Sequence, residues 1–104
     1  MNHFFPSWPC YSSEEITAVE KVLSTNKVNY WTGDECRLFE SEFADWVGTK
    51  YAVSLANGTV ALDLSLKALG IGVGDEVVVT PRSFIASVSC VLNAGATPVF
   101  ADID

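Results

Sequence analysis

Apolar residues recur at helical spacing in the first half of the chain and in short unbroken runs in the second. Ile16, Val19, Val22 and Leu23 mark one face of a helix over 13–24. Ser12 and Glu15, three residues apart, form a capping box that starts it. Cys36, Phe39, Phe43 and Trp46 mark a second helix over 35–47, which Gly48 ends. Beyond residue 50 the pattern changes. Tyr51–Leu55 reads as a short buried strand, and Thr59–Leu69 as a helix with apolar residues on most sides. On that helix Asp63 and Lys67 stand at i, i+4 and are expected to pair on the wet side. Glu76–Thr80 is a β-branched run suited to a sheet covered on both faces, and Pro81 stops it. A helix beginning at Ser83 or its neighbour runs to about Asn93, and Thr97–Ala101 is the last strand. Two helices followed by βαβαβ predict an α/β unit with parallel strands and right-handed crossovers.

The segments between these elements carry their own signals. Met1–Tyr11 is an aromatic arm punctuated by Pro6 and Pro9, apolar enough to be expected to lie against something. The loop Lys27–Asp34 holds Tyr30, Trp31, Thr32 and Gly33. Aromatic residues beside a glycine suit either contact with a ligand or partner, or packing beneath the next helix. Gly70–Asp75 has the glycine content of a dinucleotide-binding loop in the wrong place, because it follows a helix and opens a strand. It is a connecting loop.

Composition narrows the function. The chain has 104 residues, 49% of them hydrophobic and 18% charged. So small a unit has few interior positions for that apolar share, which predicts surface to be covered by a subunit or by more chain. A net charge of −7 argues against nucleic acid, which needs a basic face. Nothing points to a membrane: no apolar run approaches spanning length, and Met1–Pro9 lacks the basic residues of a secretory signal. Cys10, Cys36 and Cys90 are odd in number and widely spaced. They are expected to be reduced thiols of a cytoplasmic protein, Cys36 and Cys90 buried.

The candidate chemistry lies where the first strand turns into its helix, at Asn57-Gly58-Thr59. A helix start leaves backbone N–H groups free, and with the helix dipole and the Thr59 hydroxyl they make a seat for phosphate. Gly58 allows close approach to the backbone. The plainer alternative is that Asn57 only caps the helix. Ligands of open α/β sheets bind at the carboxyl ends of the strands. The second such end, Thr80–Phe84, puts an aromatic ring on the same rim, which suits a flat phosphorylated cofactor.

These residues resemble a known family. Asn57–Leu62, Ala68–Val77, Ser83–Ser87 and Gly95–Phe100, with Glu14-Glu15-Ile16, Thr32-Gly33 and Phe39–Phe43 upstream, are similar in order to the DegT/StrS aminotransferases, from about residue 6 to residue 104. The resemblance implies residues 1–104 as the N-terminal part of a fold type I large domain, with the arm and helices in 1–48 and βαβαβ in 51–104. It implies pyridoxal 5′-phosphate (PLP) as cofactor and a dimer in the complete enzyme. It implies transfer of an amino group from an amino acid, usually glutamate, to a keto sugar carried on a nucleotide. By position in the matching motifs, Gly58, Thr59 and Val60 would hold the PLP phosphate, Phe84 would stack on its ring, and Thr32 and Gly33 would lie near the sugar nucleotide. Arg82 departs from the commoner family form, which has an aromatic residue there.

Members of the family that the chain resembles run several times longer, and the resemblance implies that the lysine that bonds PLP and the aspartate facing its ring nitrogen belong to the part of such an enzyme beyond the stretch matched here. Lys21, Lys27, Lys50 and Lys67 sit in no matching motif. The chain alone is therefore expected to hold part of a PLP site without completing the reaction. A sugar dehydratase of the same family, or an inert module that binds a phosphate ligand or a partner, are the alternatives. In fold type I enzymes later strands separate the first sheet strand from the next two, so Tyr51–Leu55 is expected to lack a neighbour here and the chain to associate.

Overall fold

The computed structural model describes residues 8–103 and divides into two compact units, 1–54 and 55–104. The arm's Phe4 and Phe5 lie outside the described residues; its Trp8 and Tyr11 are exposed.

The first unit contains α1 (Ser13–Ser24) and α2 (Glu35–Val47). The capping box at α1 forms as expected: the Glu15 N–H donates to Ser12 Oγ at 3.2 Å, and the Ser12 N–H to Glu15 Oε2 at 2.6 Å. On helix α2 Phe39 meets Phe43 and Phe43 meets Trp46 in tilted ring pairs, each with centroids 5.7 Å apart. Only Ala44 of α2 is buried, and Cys36, expected inside, is exposed. The face that carries Cys36 has nothing packed over it among the described residues. Tyr51–Leu55 forms no ladder. A strand is defined by its partner, and none lies beside this segment among the described residues. It is tied instead by side-chain chemistry: the N–H and hydroxyl of Ser54 both donate to Glu40 of α2.

The second unit contains α3 (Gly58–Ala68), β1 (Glu76–Val79), α4 (Ala86–Asn93) and β2 (Thr97–Phe100). β1 and β2 pair in parallel, with Glu76 opposite Thr97 and Val79 opposite Phe100. The α/β character and parallel pairing match the expectation, with β1–α4–β2 as the paired βαβ unit. Val79, Cys90, Val91 and Ala96 form the core, with Leu66, Ile71, Val77 and Val88 packed against it. Val77 and Val79 face this core while Val78 is exposed, so one face of the sheet is covered rather than the two predicted from the β-branched run. Asp63 makes no ion pair with Lys67 among the described residues; its carboxylate accepts from Asn93 Nδ2 of α4 at 3.4 Å. A bond between packed helices displaces the solvated i, i+4 pair, which is worth only a few tenths of a kcal/mol. The Gly70–Asp75 loop is a turn closed by Asp75, whose carboxylate accepts the Gly72 N–H at 2.8 Å.

Candidate functional site

Helix α3 starts as the sequence dictates. Asn57 is extended, and its Oδ1 accepts the Val60 N–H at 3.0 Å. The cap therefore exists, and it consumes one orphan donor of the first turn. Among the described residues the N–H groups of Gly58 and Thr59 and the Thr59 hydroxyl have no partner. The first turn of α3 carries no acidic residue, whereas that of α1 carries Glu14 and Glu15. The positive end of the α3 dipole is thus left uncompensated. Capping and anion binding use different donors of one turn, so the observed Asn57 cap does not exclude an anion seat at Gly58 and Thr59.

Gly58 is not demanded by the fold. Its φ lies outside the left-handed range, and a Cβ built there meets nothing within 4 Å. The missing side chain instead leaves open space at the first turn of α3. That space is part of an open cleft of about 590 Å³, lined by Gly58, Thr59, Leu62 and Ser65 of α3 and by Phe84 and Ser87 at the start of α4. Phe84 is 74% exposed, so its ring is a wall of the cleft rather than part of the core. Helix α4 begins at Ala86, three residues later than Ser83, and the intervening turn is held by the Ser87 N–H to the Phe84 carbonyl at 3.0 Å. Ahead of that turn the Arg82 N–H turns back to Thr80 Oγ1 at 3.2 Å, so residues 80–82 form a local turn and not the first turn of the helix. Arg82 itself is exposed.

The structure thus brings Gly58, Thr59 and Phe84 together. Val60 does not line this cleft, and its N–H is donated to the cap. Ser65 and Ser87 were not singled out from the sequence. The signal was present: Ser65 stands two turns beyond Gly58 on the same helix, and Ser87 three residues beyond Phe84. The Ser87 hydroxyl lies 2.7 Å from that of Ser83.

Thr32 and Gly33 belong to the first unit. One amide oxygen, Asn29 Oδ1, accepts from the Trp31 N–H (3.0 Å), the Thr32 N–H (3.1 Å) and the Thr32 hydroxyl (3.1 Å). The Asn29 carbonyl accepts the Gly33 N–H at 2.8 Å. Gly33 is buried, and a Cβ there would run into the Lys27 carbonyl. Its identity has a steric reason in the turn itself.

A helix start with free donors, an open backbone approach and an aromatic wall in an α/β unit are features that suit a flat phosphorylated ligand. Comparison with known proteins makes the class specific. Residues 9–104 match the DegT/DnrJ/EryC1/StrS aminotransferase family, and the chain belongs to that family. It is 46% identical over 104 residues to the spore coat polysaccharide biosynthesis protein SpsC of Bacillus subtilis, covering 99% of this chain and 26% of that protein. Its fold superposes on an X-ray structure of an aminotransferase from Psychrobacter cryohalolentis with a TM-score of 0.88 and 61% identity, over 96% of this chain and 25% of that one. A Streptococcus pneumoniae protein assigned as a sugar aminotransferase, solved in its PLP form, matches with a TM-score of 0.81 and 36% identity, over 96% and 25% of the two chains. The chain spans about a quarter of the length of these relatives. Among the described residues no helix is long and apolar enough to cross a membrane, and no cluster of side chains suits a metal ion.

Proposed function

We propose that this chain forms the phosphate side of the cofactor site of a PLP-dependent aminotransferase, which moves an amino group from an amino acid, glutamate, to a nucleotide-linked keto sugar. The observation that carries it is the cleft where the free Gly58 and Thr59 N–H groups and the Phe84 ring meet. The residues fit the group: donors for a phosphate at one end, an exposed aromatic face for a ring at the other, and no Cβ at Gly58 between them. Family membership supports the chemistry, and PLP, once bound, supplies the electron sink. The protein supplies position and charge. Gly58 and Thr59 donate backbone N–H groups to the phosphate, and the Thr59 hydroxyl adds a third donor. Val60 joins them only by releasing its N–H from Asn57. Phe84 orients the ring by stacking. Thr32 and Gly33 stand toward the sugar nucleotide, the turn holding Thr32 in place. The reading carries a homodimer and a cytoplasmic setting with it. It is supported by the exposed apolar side chains, such as Trp31 and Trp46, and by three free thiols.

The test is to produce the protein at the length of its relatives and follow PLP binding by absorbance. Amino transfer from glutamate to dTDP- and UDP-linked keto hexoses is followed on the same preparation. Retained PLP and an aminated sugar are expected. A folded protein of that length that neither retains PLP nor aminates a sugar overturns the reading.

A further inference from the structure

We propose that Glu40 is a positioning residue, whose carboxylate joins Tyr30 to Ser54 and so fixes where the turn bearing Thr32 and Gly33 stands on α2. Its oxygens have separate partners. Oε1 accepts the N–H and the hydroxyl of Ser54 at 2.7 and 2.8 Å, fourteen residues away in sequence. Oε2 accepts the Tyr30 hydroxyl at 3.4 Å, ten residues away. The Tyr30 ring also lies under the Arg37 guanidinium, 5.0 Å from its centroid, one turn before Glu40 on the same helix.

The loop is already stiff within itself, through the bonds to Asn29 and the steric contact at Gly33. A stiff turn still needs an anchor to the body of its unit. Among the described residues, the bond from Tyr30 to Glu40 is the one hydrogen bond that joins residues 27–33 to the interior of α2. Glutamate suits the post because a carboxylate accepts on both oxygens at once. Glutamine preserves the geometry: its carbonyl accepts from Ser54, and its amide donates to the Tyr30 oxygen.

The functional part of this inference rests on the proposed role of Thr32 and Gly33; the anchoring part does not. The experiment uses the protein at family length with Glu40→Ala, Tyr30→Phe and Glu40→Gln. One readout is hydrogen exchange at the Trp31, Thr32 and Gly33 amides. Glu40→Ala and Tyr30→Phe are expected to speed it roughly two- to tenfold, the worth of one hydrogen bond. Amides of α4 stay unchanged, and Glu40→Gln restores the parent rate. Tyr30→Phe carries the test if Glu40→Ala does not fold. The second readout is kinetic. The KM for the keto-sugar nucleotide turned over by the parent is expected to rise by a similar factor in the first two variants, with kcat and PLP affinity unchanged. Unaltered exchange at those three amides overturns the anchor whether or not the parent is an enzyme. Faster exchange with an unchanged KM overturns the role toward substrate. A parent with no amino transfer counts against the proposed function and leaves the exchange result to decide the anchor.

Discussion

Gly58→Ala separates what the fold needs from what the site needs, because the two predict opposite signs. Gly58 is the first residue of α3, its φ is outside the left-handed range, and a Cβ there meets no atom within 4 Å. Alanine at such a position narrows the freedom of the unfolded chain and stabilises the fold by about 0.4–1 kcal/mol. Gly58 and Thr59 also line the cleft proposed to seat the phosphate, where an added methyl group takes up space. Forcing one methyl against a seated phosphate costs about 1–3 kcal/mol if the cost resembles overpacking in a core. At 1.4 kcal/mol per factor of ten, PLP affinity falls roughly five- to 150-fold. Denaturant unfolding without cofactor and PLP titration by absorbance, on the same preparation at family length, read the two effects. A rise in stability with a fall in affinity is expected. An unchanged PLP affinity in a folded Gly58→Ala protein removes Gly58 from the phosphate seat. A fall in stability refutes the local geometry assigned to the start of α3.

The other predictions address the ring, the hydroxyl and the carboxylates. Phe84 is 74% exposed, so Phe84→Ala is expected to change stability by no more than about 0.5 kcal/mol. Loss of stacking worth about 0.5–1.5 kcal/mol weakens PLP roughly two- to twelvefold; a large loss of stability in calorimetry would place the ring in a core instead. Thr59→Ala keeps its N–H and loses only the hydroxyl, so its PLP affinity falls less than that of Gly58→Ala in the same titration. The Ser54 N–H, then the Ser54 hydroxyl, hold the Glu40 carboxyl below the usual carboxylate range. A depressed folded pKa gives stability that is present above the ordinary glutamate value of 4.5 and is lost as pH falls below it. An NMR titration of Glu40 should show a midpoint below 4.5, and Ser54→Ala should return only part of the shift because the larger donor is backbone. A normal midpoint in the parent would refute the bond.

The helices were largely legible from residues close in sequence. The Ser12–Glu15 box, the Gly48 stop and the Asn57 cap each work within four residues, so they appear where the pattern puts them. The β-branched run of β1 and the short segment of β2 were legible for the same reason, as were the free donors at the start of α3. What depends on distant partners was not legible. The pattern of Tyr51–Leu55 by itself reads as a strand; its lack of a neighbour among the described residues follows the family's strand order and not its own composition. Cys36 lies on the apolar side of α2, yet that side has no cover among the described residues. That a side chain at Gly33 would meet the Lys27 carbonyl is a property of the folded turn, and it leaves the expected nearness of Gly33 to a ligand as it stood. The joining of Ser54 and Tyr30 through Glu40, and of Gly58, Thr59 and Phe84 around one cleft, arises only when segments 10–30 residues apart fold together. Sequence periodicity reports which way a side chain faces on its own element, whereas the identity of what it meets is a property of packing.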